Sequence, residues 1–297
     1  MKQAFLICAH NNPEYLGQLI DSLDTERTNI YVHIDKNNEA KFTNFAERFK
    51  NRSNVKIYSK IYNKYCGIGI VRSIAFLIQE SLKNEDNGYF HFISGQDLLT
   101  RPTDEILDFF EYNKDKSYLE FFELPKKGWG IKGGMEKYLY YYLNDNLKCD
   151  DYHKFNKLLN NVFLAAQIRL NLKRKGLPFT KPYGGSAWWS INRDAASVLN
   201  DYFSIESNWD CIKHTYIPDE FIFQTVLCNS CVSESLVPNN LRYIAWTPGK
   251  GTSHPKNLEL GDYLKIVESG CFFARKIDPK VSSSLIDKFS SQFHEKK

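Results

Sequence analysis

Two carboxylates stand behind a proline in Pro218-Asp219-Glu220, and the apolar run Phe221-Ile222-Phe223 follows them. Proline suits the first helical position and acids there complement the helix dipole, so the stretch reads as a helix start. The same arrangement suits a second task. A carboxylate held rigid at a helix N-terminus, within ~2.6–3.2 Å of a substrate hydroxyl, can take its proton as a general base. On this stretch alone both readings stand.

Further polar residues stand at the ends of three predicted strands: His10 and Asn11, Asp35 and Lys36, then Ser94, Gln96 and Asp97. Buried-strand patterns run over 3–9, 29–34, 55–58 and 89–93, with helical spacing over 13–23, 42–49, 70–82 and 103–110. This alternation predicts an α/β fold with a Rossmann-like, mostly parallel central sheet flanked by helices. In such sheets ligands bind outside the carboxyl ends of the strands, where these polar residues lie. No GxGxxG or P-loop pattern follows the first strand, which speaks against a dinucleotide or NTPase site.

The second half is less regular. A long helix is predicted over 152–175, with Phe155, Leu158, Leu159, Val162, Phe163, Ala166 and Leu170 at helical spacing. Four cations close it between Arg169 and Lys175, as a solvated basic end or as a contact for an anionic membrane surface. No repeat or low-complexity linker interrupts the chain. One domain over 1–297 is therefore expected.

Composition narrows the classes. With 297 residues and 42% hydrophobic content, the chain can bury a large core. Its net charge of +4 is well mixed, too mild for a nucleic-acid face. The seven cysteines are scattered, and Cys228-Asn229-Ser230-Cys231 is a lone CxxC without a second pair at zinc spacing. The apolar run at 4–9 is too short for a signal peptide or a membrane span. A cytoplasmic protein with reduced thiols is expected, with peripheral contact at the inner face of the membrane left open.

Six stretches, in this order, resemble the core-2/I-branching β-1,6-N-acetylglucosaminyltransferases, a family related to peptide O-xylosyltransferases. They are Tyr31-Val32-His33-Ile34-Asp35-Lys36, Ser94-Gly95-Gln96-Asp97-Leu98, Gly185-Ser186-Ala187-Trp188-Trp189, Pro218-Asp219-Glu220-Phe221, Arg242-Tyr243-Ile244-Ala245-Trp246 and Phe273-Ala274-Arg275-Lys276. Together they span roughly residues 3 to 280, and the resemblance implies a nucleotide-binding half at 1–115, an acceptor-binding and catalytic half at 116–280 and a tail at 281–297. The resemblance implies a GT-A-type fold, a UDP-sugar donor, a glycan or lipid-linked glycan acceptor, and transfer with inversion. It also implies no cofactor and no divalent metal. In keeping with that, Ser94-Gly95-Gln96-Asp97 stands where an Asp-x-Asp would be expected.

By the same resemblance Glu220 is the general base and Lys276 faces the diphosphate. Asp35, Cys8 and Tyr65 meet the uridine, while Glu120, Trp246, Asp97 and Ser186 face the acceptor. The family's second diphosphate cation is an arginine, but the corresponding stretch here reads Ser253-His254-Pro255-Lys256. His254, Lys256 or Arg275 is expected to take its place. Cys66-Gly67-Ile68-Gly69 also departs from the Trp-Gly-x-Ser common over the uracil. The expected activity is transfer of a sugar, with N-acetylglucosamine foremost, in synthesis of a bacterial-type surface polysaccharide. A catalytically silent carbohydrate- or nucleotide-binding protein on the same scaffold is the alternative.

Overall fold

A computed structural model describes residues 1–64, 66–144, 157–174, 179, 181–246 and 255–295. The first half alternates as its pattern requires: β1 (Lys2–Ala9), α1 (Pro13–Leu23), β2 (Thr28–Ile34), β3 (Val55–Tyr58), α2 (Gly69–Leu82), β4 (Asn87–Ser94), the short β5 (Leu98–Leu99) and α3 (Thr103–Tyr112). Then come β6 (Ser117–Leu119), β7 (Phe122–Glu123), α4 (Met135–Leu139), α5 (Lys157–Arg169), β8 (Tyr183–Gly184), β9 (Trp189–Asn192), α6 (Arg193–Ser204) and α7 (Glu206–Ile212). The chain closes with α8 (Ile222–Cys228), β10 (Leu236–Val237), β11 (Arg242–Ile244), α9 (Tyr263–Glu268), β12 (Phe273–Arg275) and α10 (Pro279–Glu295).

The local chemistry explains the best-defined elements. Pro13 opens α1 at its first turn, and Leu16, Leu19, Ile20 and Leu23 make its buried stripe. Residues 3–9 of β1 and all of β2 are buried, as strands covered on both faces must be. The predicted helix over 42–49 instead forms two 3-10 turns, Lys36–Phe42 and Ala46–Phe49. Packing decides this difference: Phe42, Phe45 and Phe49 all enter the core beside α1 and β2, with neighbouring rings 5.5 and 5.3 Å apart.

Seven strands form the main sheet in the order β10-β6-β9-β4-β1-β2-β3. The β3, β2, β1 and β4 strands are mutually parallel, and β9 runs antiparallel between β4 and β6. Strands from both halves therefore share one mixed α/β sheet. The carboxyl ends of β1, β2 and β4 coincide, because Cys8 lies opposite both His33 and Ser94.

A second sheet, β11-β12-β5, is laid against this edge. Phe273 and Ala274 pair antiparallel with Leu99 and Leu98, just past the end of β4. Arg242 joins the two sheets. Its Nη2 donates to the Trp189 carbonyl at 2.7 Å and the Phe92 carbonyl at 3.2 Å, and its guanidinium lies 4.6 Å from the Phe273 ring centroid. The register of β12 thus carries Arg275 and Lys276 to the carboxyl edge of the main sheet.

Candidate active site

Asp35, immediately after β2, is buried and organises the loops around it. One oxygen accepts from the Asn37 amide at 3.1 Å and the Asn63 amide at 3.0 Å, and the other from the Asn38 side chain at 3.2 Å. Next to it, burial raises the Cys8 thiol far above its ordinary range, with Asp35 and Asp219 adding to the shift. That coupling puts the 218–220 turn over the end of β1. The loop after Tyr65 reaches the same turn, since the Cys66 carbonyl accepts from the Ile217 amide at 3.1 Å. Tyr65 and His254, both expected to meet the donor, lie outside the described residues.

The cations are distributed unevenly. Arg275 is buried, stacked 3.6 Å over the Trp188 ring and 3.5 Å from the Asp97 carboxylate. Its Nε and Nη1 make no hydrogen bond. Asp97 is anchored by the Ser94 amide at 3.0 Å and the Ser94 hydroxyl at 2.9 Å. Lys276 is half-buried, and burial followed by the charge of Arg275 pulls its pKa below the usual lysine range. His10, at the end of β1, is within electrostatic reach of Lys276, Asp35 and Arg275. Lys256 points elsewhere: its ammonium lies 3.0 Å from the Asp262 carboxylate. Of the two replacements that lie among the described residues, Arg275 adjoins Lys276 with its Nε facing Asp97, whereas Lys256 is tied to Asp262.

Glu220 lies in the 3-10 turn Pro218–Glu220, separated from α8 by Phe221. The expected continuous helix start is thus a separate turn, because Ile217 takes a positive φ of 50° and Phe221 leaves helical geometry. What fixes the carboxylate is a cation rather than a helix end. Lys137 Nζ donates to Glu220 Oε2 at 2.5 Å and lies 4.0 Å over the Trp129 ring. The sequence reading missed Lys137, whose neighbours in Met135-Glu136-Lys137 look like an ordinary helix surface.

Asp219 also exceeds its sequence reading as a mere charge at a helix start. Burial, with Glu220 beside it, pushes its carboxyl up to about 7, while Lys137 and Arg275 pull the other way. Its charge is therefore coupled to those of Glu220, Lys137 and Arg275 alike.

On the acceptor side, the Gly185 amide donates to the Glu220 carbonyl at 2.9 Å. A Cβ on Gly185 would sit 1.9 Å from the Glu120 carbonyl oxygen. This glycine therefore clamps the backbones of the two glutamates together. The Glu120 side chain is exposed, Trp246 is 56% exposed, and Ser186 accepts from Gln224 through its carbonyl at 2.6 Å. Trp246 therefore stands clear of the core.

Comparison with known proteins places the chain in a family by sequence. A family model described as Core-2/I-Branching enzyme matches residues 3–268. Xylosyltransferase 2 of Canis lupus familiaris is 24% identical over 304 residues, a match covering 96% of this chain and 33% of the relative. Xylosyltransferase oxt of Drosophila melanogaster is 20% identical over 306 residues, covering 95% and 32%. The chain spans about a third of the length of these curated relatives. Among solved structures, the apo form of the WbbM bifunctional glycosyltransferase aligns over 99% of this chain and 50% of its own, with 12% identity and a TM-score of 0.42.

Proposed function

The chain belongs to the Core-2/I-Branching enzyme family, and we propose that it is an inverting glycosyltransferase moving a sugar from a UDP-sugar to a hydroxyl of a glycan acceptor. The observation that carries this reading is the presence of one carboxylate and two cations at the carboxyl edge of the sheet. Lys137 holds Glu220, Arg275 lies against Asp97, and Lys276 follows Arg275 in the chain with the two charges coupled.

In this reading Glu220 takes the acceptor proton as the hydroxyl oxygen attacks the anomeric carbon. The bond from that carbon to the UDP oxygen breaks, and its electron pair leaves with the diphosphate. Arg275 and Lys276 meet the charge that develops there. One carboxylate suffices, since UDP leaves without the protonation that a glycosidase must supply. Asp35 and the backbone at Cys8 hold the uridine, Glu120 and Trp246 the acceptor. We place the reaction outside metal chemistry because Asp97, the acid nearest the expected metal position, is engaged by Ser94 and lies beside Arg275. N-acetylglucosamine is the proposed donor sugar and a lipid-linked precursor of a surface polysaccharide the proposed acceptor, handled on the cytoplasmic side of the membrane.

EDTA-treated protein should release UDP from one member of a panel containing UDP-N-acetylglucosamine, UDP-xylose, UDP-glucose and UDP-galactose. Activity that vanishes with EDTA and returns with Mn²⁺ would overturn the metal-free step. A second reading, a silent binder, draws on the tie between Lys256 and Asp262 and on Cys66-Gly67 where relatives carry Trp-Gly. Glu220→Gln separates the two: the enzyme loses turnover and still binds UDP, whereas a silent binder has no turnover to lose.

A further inference from the structure

The polarity of α5 is inverted. A helix lying on a soluble domain turns its apolar stripe inward and its polar side chains out. Here the inward side chains include Asn160 and Gln167, 4% exposed each, flanking Leu164. Asn160 Oδ1 accepts from the Leu143 amide at 2.9 Å and its Nδ2 donates to Asn144 Oδ1 at 2.9 Å. Gln167 takes both backbone groups of Tyr141, each at 2.9 Å. Two side-chain amides thus attach α5 to the extended 140–144 segment much as a paired strand would. The outward side carries Leu158 and Val162, each 60% exposed, and Leu170 and Leu172 follow just past the end of the helix at 66 and 56%. The apolar spacing that predicts a core face is therefore turned to solvent.

Charge adds a second, independent feature. Residues 157–174 include Lys157, Arg169, Lys173 and Arg174 and no Asp or Glu. Arg174 is buried and donates to the carbonyls of Tyr138, Asp210, Cys211 and Lys213, so it serves as an anchor. Arg169 and Lys173 are exposed at the same end as Leu170 and Leu172. An exposed apolar face with cations at one end, and with no acid within residues 157–174, matches the boundary of an anionic bilayer, where apolar side chains enter and cations meet headgroups.

We propose that the outer face of α5 docks this protein on an anionic lipid surface. The docking brings the membrane close to the base. Leu164 packs with Tyr140 and Tyr142, beside Tyr216, and the Tyr216 amide donates to the Lys137 carbonyl at 3.2 Å. One layer of side chains therefore separates the docking helix from the Lys137–Glu220 pair. That a lipid-linked acceptor arrives by this route rests on the transferase reading above; the docking itself does not.

The full chain should co-sediment with vesicles containing about 30% phosphatidylglycerol and remain in the supernatant with pure phosphatidylcholine. Leu158→Gln combined with Val162→Gln and Leu170→Gln should weaken anionic-vesicle binding at least tenfold, with the far-UV circular dichroism and melting temperature of the parent. Arg169→Glu with Lys173→Glu should weaken it similarly and remove its salt dependence. Equal sedimentation of the triple variant and the parent would overturn the proposal, as would no binding by the parent. An oligomer in vesicle-free solution that the triple variant abolishes would also overturn it, by assigning the face to a second copy. UDP release without vesicles reports on the transferase reading separately: its absence alongside intact vesicle binding would sink the chemistry and leave the docking standing.

Discussion

Lys137 and Glu220 are 83 residues apart in sequence and 2.5 Å apart in the fold, ammonium to carboxylate. The lysine is nearly buried, with only 11% of its side chain exposed, and Trp129 backs it. A pair so enclosed gives the carboxylate one orientation, with Oε2 on the lysine and Oε1 left for a substrate proton. Lys137→Met should lower kcat by about 10–100-fold, the scale of a misplaced base. In the proposed mechanism Glu220 is the base and Lys137 only orients it, so UDP affinity should change less than threefold. Lys137→Arg should recover part of the loss. Equal damage to kcat and to UDP affinity would mean that Lys137 binds donor.

Lys276 yields a prediction in pH. Burial and Arg275 both favour its neutral form, so its charge is lost earlier than the ordinary value of 10.5 as pH rises. In the proposed mechanism the charged form is the one that meets a diphosphate. Titration calorimetry of UDP should therefore show affinity falling with pH while ordinary lysines are still protonated. Lys276→Arg should flatten that fall, since an arginine stays charged throughout. A parent profile flat to pH 10.5 would place Lys276 away from the diphosphate.

Parts of this arrangement could be read from residues and others could not. The strand ends carrying His10, Asp35 and Asp97 were legible because buried apolar runs end abruptly in polar residues, and Pro13 marked α1 to the residue. Local pattern determines such features. Lys137 was not legible, since its role depends on a partner brought by tertiary folding. Asp219 looked like a dipole complement because its sequence position gives no sign of burial. In α5 the helical spacing was legible and the buried face was not: Leu158 and Val162 do repeat helically, but Asn160 and Gln167 are the side chains that meet the backbone of 141–143. Periodicity reports which residues share a face, and the neighbouring backbone decides which face is buried.

Asp219 is a carboxyl with the reverse of the usual shift, and the sign of its effect on stability follows. The folded protein keeps the proton up to about pH 7, while the unfolded chain releases it near 3.8. Stability from this group is full below 3.8, declines between 3.8 and about 7, and is level above. Asp219→Asn removes the decline. The variant should melt with the parent near pH 3.8 and above it at pH 8. Allowing for the part exposure of the carboxyl, the gain is about 1–2 kcal/mol, or roughly 2–6 °C. Equal melting temperatures at pH 8 would show that the group ionises at its ordinary pKa.

Gly185 tests the link between acceptor and base. Its φ is unremarkable, so the demand for glycine comes from space alone. A methyl there would meet the Glu120 carbonyl oxygen at 1.9 Å and Gln224 Cγ at 3.2 Å. The first contact is with backbone and cannot be relieved by a rotamer change. Gly185→Ala must therefore push the Glu120 segment away or break the bond from its own amide to Glu220. Either movement separates the acceptor glutamate from the base by a fraction of an ångström or more. Strain of this kind costs about 1–3 kcal/mol of stability, which a chain of this size survives. Transfer is less tolerant, because a displacement near 1 Å costs about 100-fold. The variant should thus fold, bind UDP like the parent and lose transfer to an acceptor by about 100-fold, while acceptor-free UDP release falls less. Loss of UDP binding together with transfer would instead mean that the damage reaches the Asp35 and Lys276 side of the site.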